Sequence, residues 1–260
     1  MLKNNIIIVT GGAGSGIGHG LSIALAEHHA TVLIIEKDVL LMNKLVKKLR
    51  SKGRKAEGYE CDIANGAQVN STVKAILKKH KRVDGLVNSA GVGLIRPPAK
   101  CTDEEYNRIM SIDLYGTFAL CRAVIPSMIR QKRGSIVNIS SIHGARTCAN
   151  YGVYAAAKSG VEGLTRGLAA HYGANGIRVN AIQPGLVDGA QTRRIVAQFT
   201  KNVPKFMHDF THNRQCLDHL IQPREIGEAA AFLLSDRSQS ITGATIPVDA
   251  GLLTLITSKN

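Results

Sequence analysis

The stretch Ile6–Gly20, IIIVTGGAGSGIGHG, joins a β-branched apolar run to six glycines: Gly11, Gly12, Gly14, Gly16, Gly18 and Gly20. A run such as Ile6–Thr10 reads as a buried strand. Apolar residues then return at helical spacing at Ile17, Leu21, Ala24 and Leu25. A strand that feeds a helix through a nearly side-chain-free loop leaves few folds open. Bare backbone can approach a ligand closely, and the N-terminus of the following helix favours a phosphate. The expectation is a loop that cradles the pyrophosphate of a dinucleotide.

The rest of the chain alternates in the same way. Further β-branched runs lie at Thr31–Ile35, Gly85–Asn88, Ser135–Ser140, Arg178–Ile182 and near Ala244–Val248. Amphipathic stretches at Val39–Lys52, Ala67–His80, Asp103–Gln131, Val153–Tyr172 and Arg224–Leu234 separate them. Such alternation predicts βαβ units and a parallel sheet covered on both faces. With no internal repeat and no linker-like gap, residues 1–260 read as a single α/β domain. Residues 188–223, interrupted by Pro204 and Pro223, read as an irregular insertion over the carboxyl edge of the sheet.

The second run ends at Glu36, 18 residues after Gly18. A dinucleotide-binding unit places a carboxylate there to accept both hydroxyls of the adenosine ribose. A 2′-phosphate would repel Glu36 and calls for a cation, whereas the residue before Gly16-Ile17-Gly18 is Ser15. NAD is therefore favoured over NADP, although Lys37 pulls the other way.

Charge and cysteine usage narrow the partners. The net charge is +14, and residues 37–82 alone hold 13 Lys/Arg against 4 Asp/Glu. This segment is either an electropositive apron for an acidic ligand or solvated helix surface. No nucleic-acid motif is present, and only 4% of residues are aromatic, so a base-stacking surface is not expected. No apolar run approaches the roughly 20 residues that span a bilayer. Cys61, Cys101, Cys121, Cys148 and Cys216 are scattered without a CxxC pair, which points away from a disulfide framework or zinc site. Without a signal-peptide pattern, the expected location is the cytoplasm.

The chemistry is carried by YGVYAAAKSG, which sets Tyr154 and Lys158 four residues apart on one helical face. A tyrosine hydroxyl titrates near pH 10 and is a poor base at neutrality. A lysine ammonium one turn away favours the phenolate. Ser141, in SIVNISSIHG, lies 13 residues before Tyr154 at a strand end, where it can hold a substrate oxygen near the tyrosine.

Together these segments resemble the short-chain dehydrogenase/reductase family along nearly the whole chain. TGGAGSGIG looks like its cofactor loop, with Gly11, Gly12, Ser15, Gly16, Ile17 and Gly18 as the matching positions. CDI, with Asp62 and Ile63, looks like its adenine contact. NSAG, with Asn88, Ala90 and Gly91, resembles its NNAG motif, and RVNAIQPG, running to Pro184 and Gly185 with Val187 beyond, resembles the segment beside the nicotinamide. ITGATIPVDAG resembles its terminal strand. The resemblance implies a Rossmann-like doubly wound, mainly parallel seven-stranded sheet, a substrate lid near 188–223, and a homodimer or homotetramer. It also implies hydride transfer between a nicotinamide cofactor and a secondary alcohol or ketone. Residue by residue, it makes Tyr154 the acid/base, Ser141 the substrate-oxygen partner and Lys158 the ligand of the nicotinamide ribose.

Four positions depart from the family pattern. Four residues rather than three separate Gly11 from Gly16, so either Gly11 or Gly12 matches the family's first glycine. Asp113, in IDLYGTF, stands where the family has an asparagine that serves a proton relay behind the lysine. Asp113 accepts hydrogen bonds but cannot donate when ionised. Gly189 takes the place of a carboxamide-contacting threonine, with Thr192 three residues on, and His171 that of an acid. Two further readings stay open: an NADPH-dependent 3-oxoacyl thioester reductase, and a cofactor-binding protein with little turnover.

Other residues carry weaker signals. His208, His212 and Cys216 would form a ligand stripe if 204–220 were helical, but the family chemistry needs no metal and none is expected. His143 either touches substrate or is a bystander. Tyr151 is a pocket or packing residue, because Lys158 is seven residues away. Phe206, Met207 and Phe210 either line an apolar pocket or anchor the lid.

Overall fold

In a computed structural model, which describes residues 1–255 and Ser258, the chain alternates strands and helices from end to end. The first half runs β1 (Ile6–Thr10), α1 (Ile17–Glu27), β2 (Thr31–Glu36), α2 (Val39–Ser51), β3 (Ala56–Glu60), α3 (Gly66–His80) and β4 (Gly85–Asn88). Then come α4 (Asp103–Ile109), α5 (Gly116–Gln131), β5 (Gly134–Ile139), α6 (Gly152–Tyr172) and β6 (Ile177–Pro184). The chain continues through α7 (Ala190–Val196), α8 (Val203–Arg214), α9 (Pro223–Leu234) and β7 (Thr245–Val248). Positions 256, 257, 259 and 260 of the expected 1–260 domain lie outside the described residues.

The strands form one sheet in the order β3-β2-β1-β4-β5-β6-β7, and every pairing is parallel. Each crossover helix must return over a face of the sheet, so both faces are covered. Leu21, Leu25, Met42, Leu45, Ile226 and Leu233 of α1, α2 and α9 fill one apolar layer. Val69, Val73, Ile76, Leu120, Val124 and Met128 of α3 and α5 fill the other. Each such side chain contributes about 1.5–3 kcal/mol when fully buried. Strand order reverses between β1 and β4, which opens a crevice at the carboxyl ends of those strands, the place where open α/β sheets bind ligands.

The differences from the sequence reading have local causes. The residue pattern yields six strands, and the seventh is β3, AEGYE. It is an edge strand in which only Ala56 is buried, so it lacks a continuous apolar run. Residues 188–223 are not an irregular insertion, because they contain α7 and α8. Pro204 and Pro223 stand in the first turns of α8 and α9, where proline's missing N–H costs nothing, and so they start helices rather than break them. Gly20 belongs to packing, since a Cβ there would collide with Pro223 at the start of α9.

The expected helix Asp103–Gln131 carries a π-turn at Met110–Tyr115. By length and composition this 29-residue rod could cross a membrane, but half of its apolar window is buried inside the fold. It packs in the core through Leu120, Val124 and Met128, and Asp113, Arg122 and Arg130 interrupt its apolar residues.

Candidate active site

The carboxyl end of β1 opens into the glycine loop. Gly11 has φ +62, the left-handed region that glycine favours, and a Cβ there would sit 2.7 Å from the Ala90 Cα. Of the two candidates for the first glycine, only Gly11 has this conformation. A Cβ on Gly18 would strike the Gly11 carbonyl oxygen, so α1 can start this close to β1 only without one. Ser22 Oγ donates to the Gly12 carbonyl at 2.9 Å and locks the loop to α1. A Cβ on Gly14 or Gly16 would meet nothing, so this part of the loop faces open space. Gly16 caps α1 without a side-chain hydrogen bond, and the first turn has no acid. No side-chain cap and no acid therefore compete for an anion at the N-terminus of this eleven-residue helix beside that space. Open bare backbone beside a helix N-terminus fits a pyrophosphate.

Glu36 ends β2 beside this loop. Its carboxylate accepts from Lys37 N at 2.9 Å and from Asp38 N and Ala13 N, both at 3.4 Å. Lys37 Nζ donates to Asp62 Oδ2 at 2.6 Å, and this bond is the chief reason the Asp62 carboxyl lies below its ordinary range. Ile63 is buried beneath Gly116. Thr10 Oγ1 accepts from Ser89 N and Ala90 N, which ties the NSAG segment to β1. Asn88 donates to Asn138 at 2.8 Å and Asn138 to Thr165 at 2.9 Å, a polar chain from β4 through β5 to α6. At the end of β6, Gly185 N donates to Val248 O, and Val187 is buried and bridges to Ile221. Gly189 brings the start of α7 against the glycine loop, with Ala190 N 3.4 Å from the Ser15 carbonyl.

The candidate reactive side chains converge from the end of β5, the π-turn before α5, and α6. Ser141 follows β5 and is buried, and its Oγ accepts from His143 N at 3.2 Å. Tyr154 lies half-buried in the first turn of α6, with Lys158 one turn later. Lys158 Nζ sits 5.6 Å from the Tyr154 ring centroid and donates to the Ile139 carbonyl at 3.1 Å. It also lies 3.1 Å from Asp113 Oδ2. Asp113 Oδ1 accepts from Val92 N at 2.9 Å, and the Asp113 carbonyl accepts from Thr117 Oγ1. The π-turn puts Asp113 on the inner side of the helix, where Gly91 leaves room for it. Burial alone would pull Lys158 down, but Asp113 and Tyr154 outweigh it, and the ammonium is held above its ordinary range.

His143 lies at the mouth of this site. It stacks on Tyr151 at 4.1 Å and meets Tyr154 edge-on at 5.8 Å. Burial pushes its pKa down, while burial and the charges of Cys148 and Tyr154 push Tyr151 up to about 12.

Other sequence candidates fall elsewhere. α8 ends at Arg214, so Cys216 lies outside the helix that would have aligned it with His208 and His212. His212 pairs with Asp218 instead, and no group of three metal-ligating side chains forms among the described residues. Met207 is buried and anchors α8, whereas Phe206 and Phe210 pack on each other half-buried. His171 is exposed near the end of α6 against Tyr172. Three cations of the basic segment, Arg50, Arg54 and Lys55, line a 450 Å³ cleft with His80 at the amino ends of β2 and β3. That cleft is on the opposite edge from the glycine loop. Sequence reasoning missed Glu162 and Gln183, which hydrogen-bond behind Ser141. Their one signal was an acid a turn beyond Lys158 in an otherwise small and apolar helix face.

Comparison with known proteins agrees with this geometry. A family profile described as enoyl-(acyl carrier protein) reductase matches residues 12–253. The 3-oxoacyl-acyl-carrier-protein reductase of Thermotoga maritima is 31% identical over 252 residues, covering 97% of this chain and 99% of its own. A crystal structure assigned to a short-chain dehydrogenase/reductase from Burkholderia xenovorans superposes with a TM-score of 0.92 at 29% identity, over 98% of both chains. NAD+-bound xylitol dehydrogenase does so with a TM-score of 0.90 at 27% identity, over 96% of this chain and 99% of that one. The chain belongs to the short-chain dehydrogenase/reductase family and is an NAD(P)-dependent oxidoreductase acting on CH–OH donors.

Proposed function

We propose that this protein is an NAD-preferring dehydrogenase of secondary alcohols and reductase of ketones, with Tyr154 as its acid/base. The observation that carries the reading is Lys158 Nζ at 5.6 Å from the Tyr154 ring, fixed there by Ile139 and Asp113. In oxidation Tyr154 takes the hydroxyl proton, and in reduction it returns it. A bound nicotinamide accepts or supplies the hydride. Ser141 donates to the substrate oxygen and holds it beside Tyr154. Lys158 binds the nicotinamide ribose and favours the phenolate electrostatically. Asp113 acts through Lys158 as a positioning residue.

Gly11, Gly12, Ser15, Gly16, Ile17 and Gly18 hold the pyrophosphate, Glu36 the adenosine ribose, and Asp62 with Ile63 the adenine. Asn88, Ala90, Gly91, Pro184, Gly185 and Val187 border the rest of the cofactor, under a lid at 188–223. NAD is favoured because Glu36 faces the loop with no paired cation among the described residues, while Lys37 is engaged by Asp62. Five unpaired cysteines suit the reducing cytoplasm. The half-exposed Tyr115 and Phe118 on the long helix suit a homo-oligomer contact.

A second reading, an NADPH-dependent reductase of 3-oxoacyl thioesters, is favoured by the Thermotoga relative. Initial rates with NADH and NADPH, on a panel of free ketones and on 3-oxoacyl thioesters, separate the two. Turnover of ketones with NADH supports the first, and thioester turnover confined to NADPH overturns it.

A further inference from the structure

A buried carboxylate that has no part in the proton path lies directly behind the reacting groups. Glu162 is on α6, one turn beyond Lys158, and only 7% exposed. Its Oε1 accepts two hydrogen bonds of 2.7 Å, from Ser140 Oγ and from Gln183 Nε2. Ser140 immediately precedes Ser141. Gln183 is followed by Pro184 and Gly185 at the end of β6. Three segments therefore meet at one oxygen: the β5 end with its serine, the helix with Tyr154 and Lys158, and the end of β6. Ser140 Oγ also lies 3.3 Å from the Lys158 carbonyl, and Lys158 Nζ reaches back to Ile139 O.

The turn after Ser141 is shaped to the same oxygen. A Cβ on Gly144 would collide with Glu162 Oε1, so the turn can close over the carboxylate only because residue 144 has no side chain. Such short, charge-assisted bonds are directional. They fix the backbone of Ser140, and through it the direction in which the Ser141 hydroxyl leaves the strand.

We infer that Glu162 is a positioning residue, a clamp that sets Ser141 against Tyr154 by holding Ser140, Gln183 and the bare turn at Gly144. The inference rests on Ser141 being the substrate-oxygen partner. Misplacing a reacting group by about 1 Å costs on the order of 10²-fold in rate.

The test is steady-state kinetics with NADH binding followed by fluorescence. Glu162→Leu should lower kcat roughly 10²-fold and change NADH affinity far less. Glu162→Gln keeps the acceptor oxygen, loses only the charge, and should fall much less. Gly144→Ala should mimic Glu162→Leu in the wild-type background yet cost far less beside Glu162→Ala, because the one close neighbour then left to the added methyl, Ser140 Oγ at 2.9 Å, is a side-chain atom that can turn away. A kcat for Glu162→Leu within twofold of wild type overturns the clamp, as does a Gly144→Ala penalty equal in both backgrounds. Should the Glu162 variants fail to fold, Ser140→Ala leaves the Gln183 contact intact, and wild-type kcat in that variant overturns the clamp as well. Ser141→Ala separates the two levels. Full turnover in it defeats the reading of the site, whereas a dead Ser141→Ala beside an active Glu162→Leu defeats the clamp alone.

Discussion

Asp113 Oδ2 lies 3.1 Å from Lys158 Nζ, and both side chains are withdrawn from solvent. This buried pair links the π-turn to the helix that carries Tyr154. A neutral amide at this position would leave the Lys158 ammonium without a counter-ion. Asp113 supplies one, and the same charge opposes a second anion at the tyrosine hydroxyl.

Asp113→Asn removes that opposition at similar volume. The basic limb of alcohol oxidation should move toward lower pH, and turnover near neutrality should rise. The measurement is the pH dependence of kcat/KM for both forms on one alcohol. A limb that stays in place, or a fall in neutral turnover, contradicts the electrostatic role given to Asp113.

The same pair contributes to stability. Lys158 is raised in the fold above its ordinary 10.5, so its contribution is complete below that value and is lost as pH rises beyond it. Asp113→Leu leaves the ammonium buried and unpaired, which should cost about 3–5 kcal/mol at pH 7. Denaturant unfolding checks this, and a loss below about 1 kcal/mol, the scale of an exposed pair, would show that the ion pair is solvated.

In the proposed reading, Glu36 sets the cofactor preference. NADH should bind more tightly than NADPH, and Glu36→Ala should weaken NADH about tenfold, as expected for loss of charge-assisted hydrogen bonds, while NADPH is spared. Fluorescence titration of both cofactors decides. Equal binding of the two by the wild type would mean that Lys37 leaves Asp62 for a 2′-phosphate.

Two neighbouring glycines should respond differently to alanine. At Gly18 the methyl meets backbone that cannot yield, so Gly18→Ala should cost about 1–3 kcal/mol and lower Tm. At Gly16 it meets open space, so Gly16→Ala should melt like wild type yet bind NADH more weakly. Equal melting of the two variants would contradict the close approach of α1 to β1.

The sheet's interior was legible because its strands are buried on both sides and read as unbroken β-branched runs. β3 was not, because an edge strand with polar residues facing out has no such run. The regularity of 188–223 was not legible, because proline both stops and starts helices, and Pro204 and Pro223 start α8 and α9. Within the site, Tyr154 and Lys158 were legible because one helix fixes their spacing. The resemblance set Asp113 behind Lys158, but their direct contact was not legible, since it depends on a π-turn and on the room left by Gly91. The Glu162 clamp joins three segments distant in sequence, and only the folded sheet brings them to one oxygen.

The account turns on Tyr154 as the proton carrier. Tyr154→Phe keeps the ring and removes only the hydroxyl, so the most direct measurement is kcat of this variant together with its NADH affinity. The account predicts a fall in kcat of at least about 10²–10⁴-fold with cofactor affinity nearly unchanged. A variant that keeps more than about a tenth of wild-type turnover, well outside the range of lost acid–base catalysis, would contradict it.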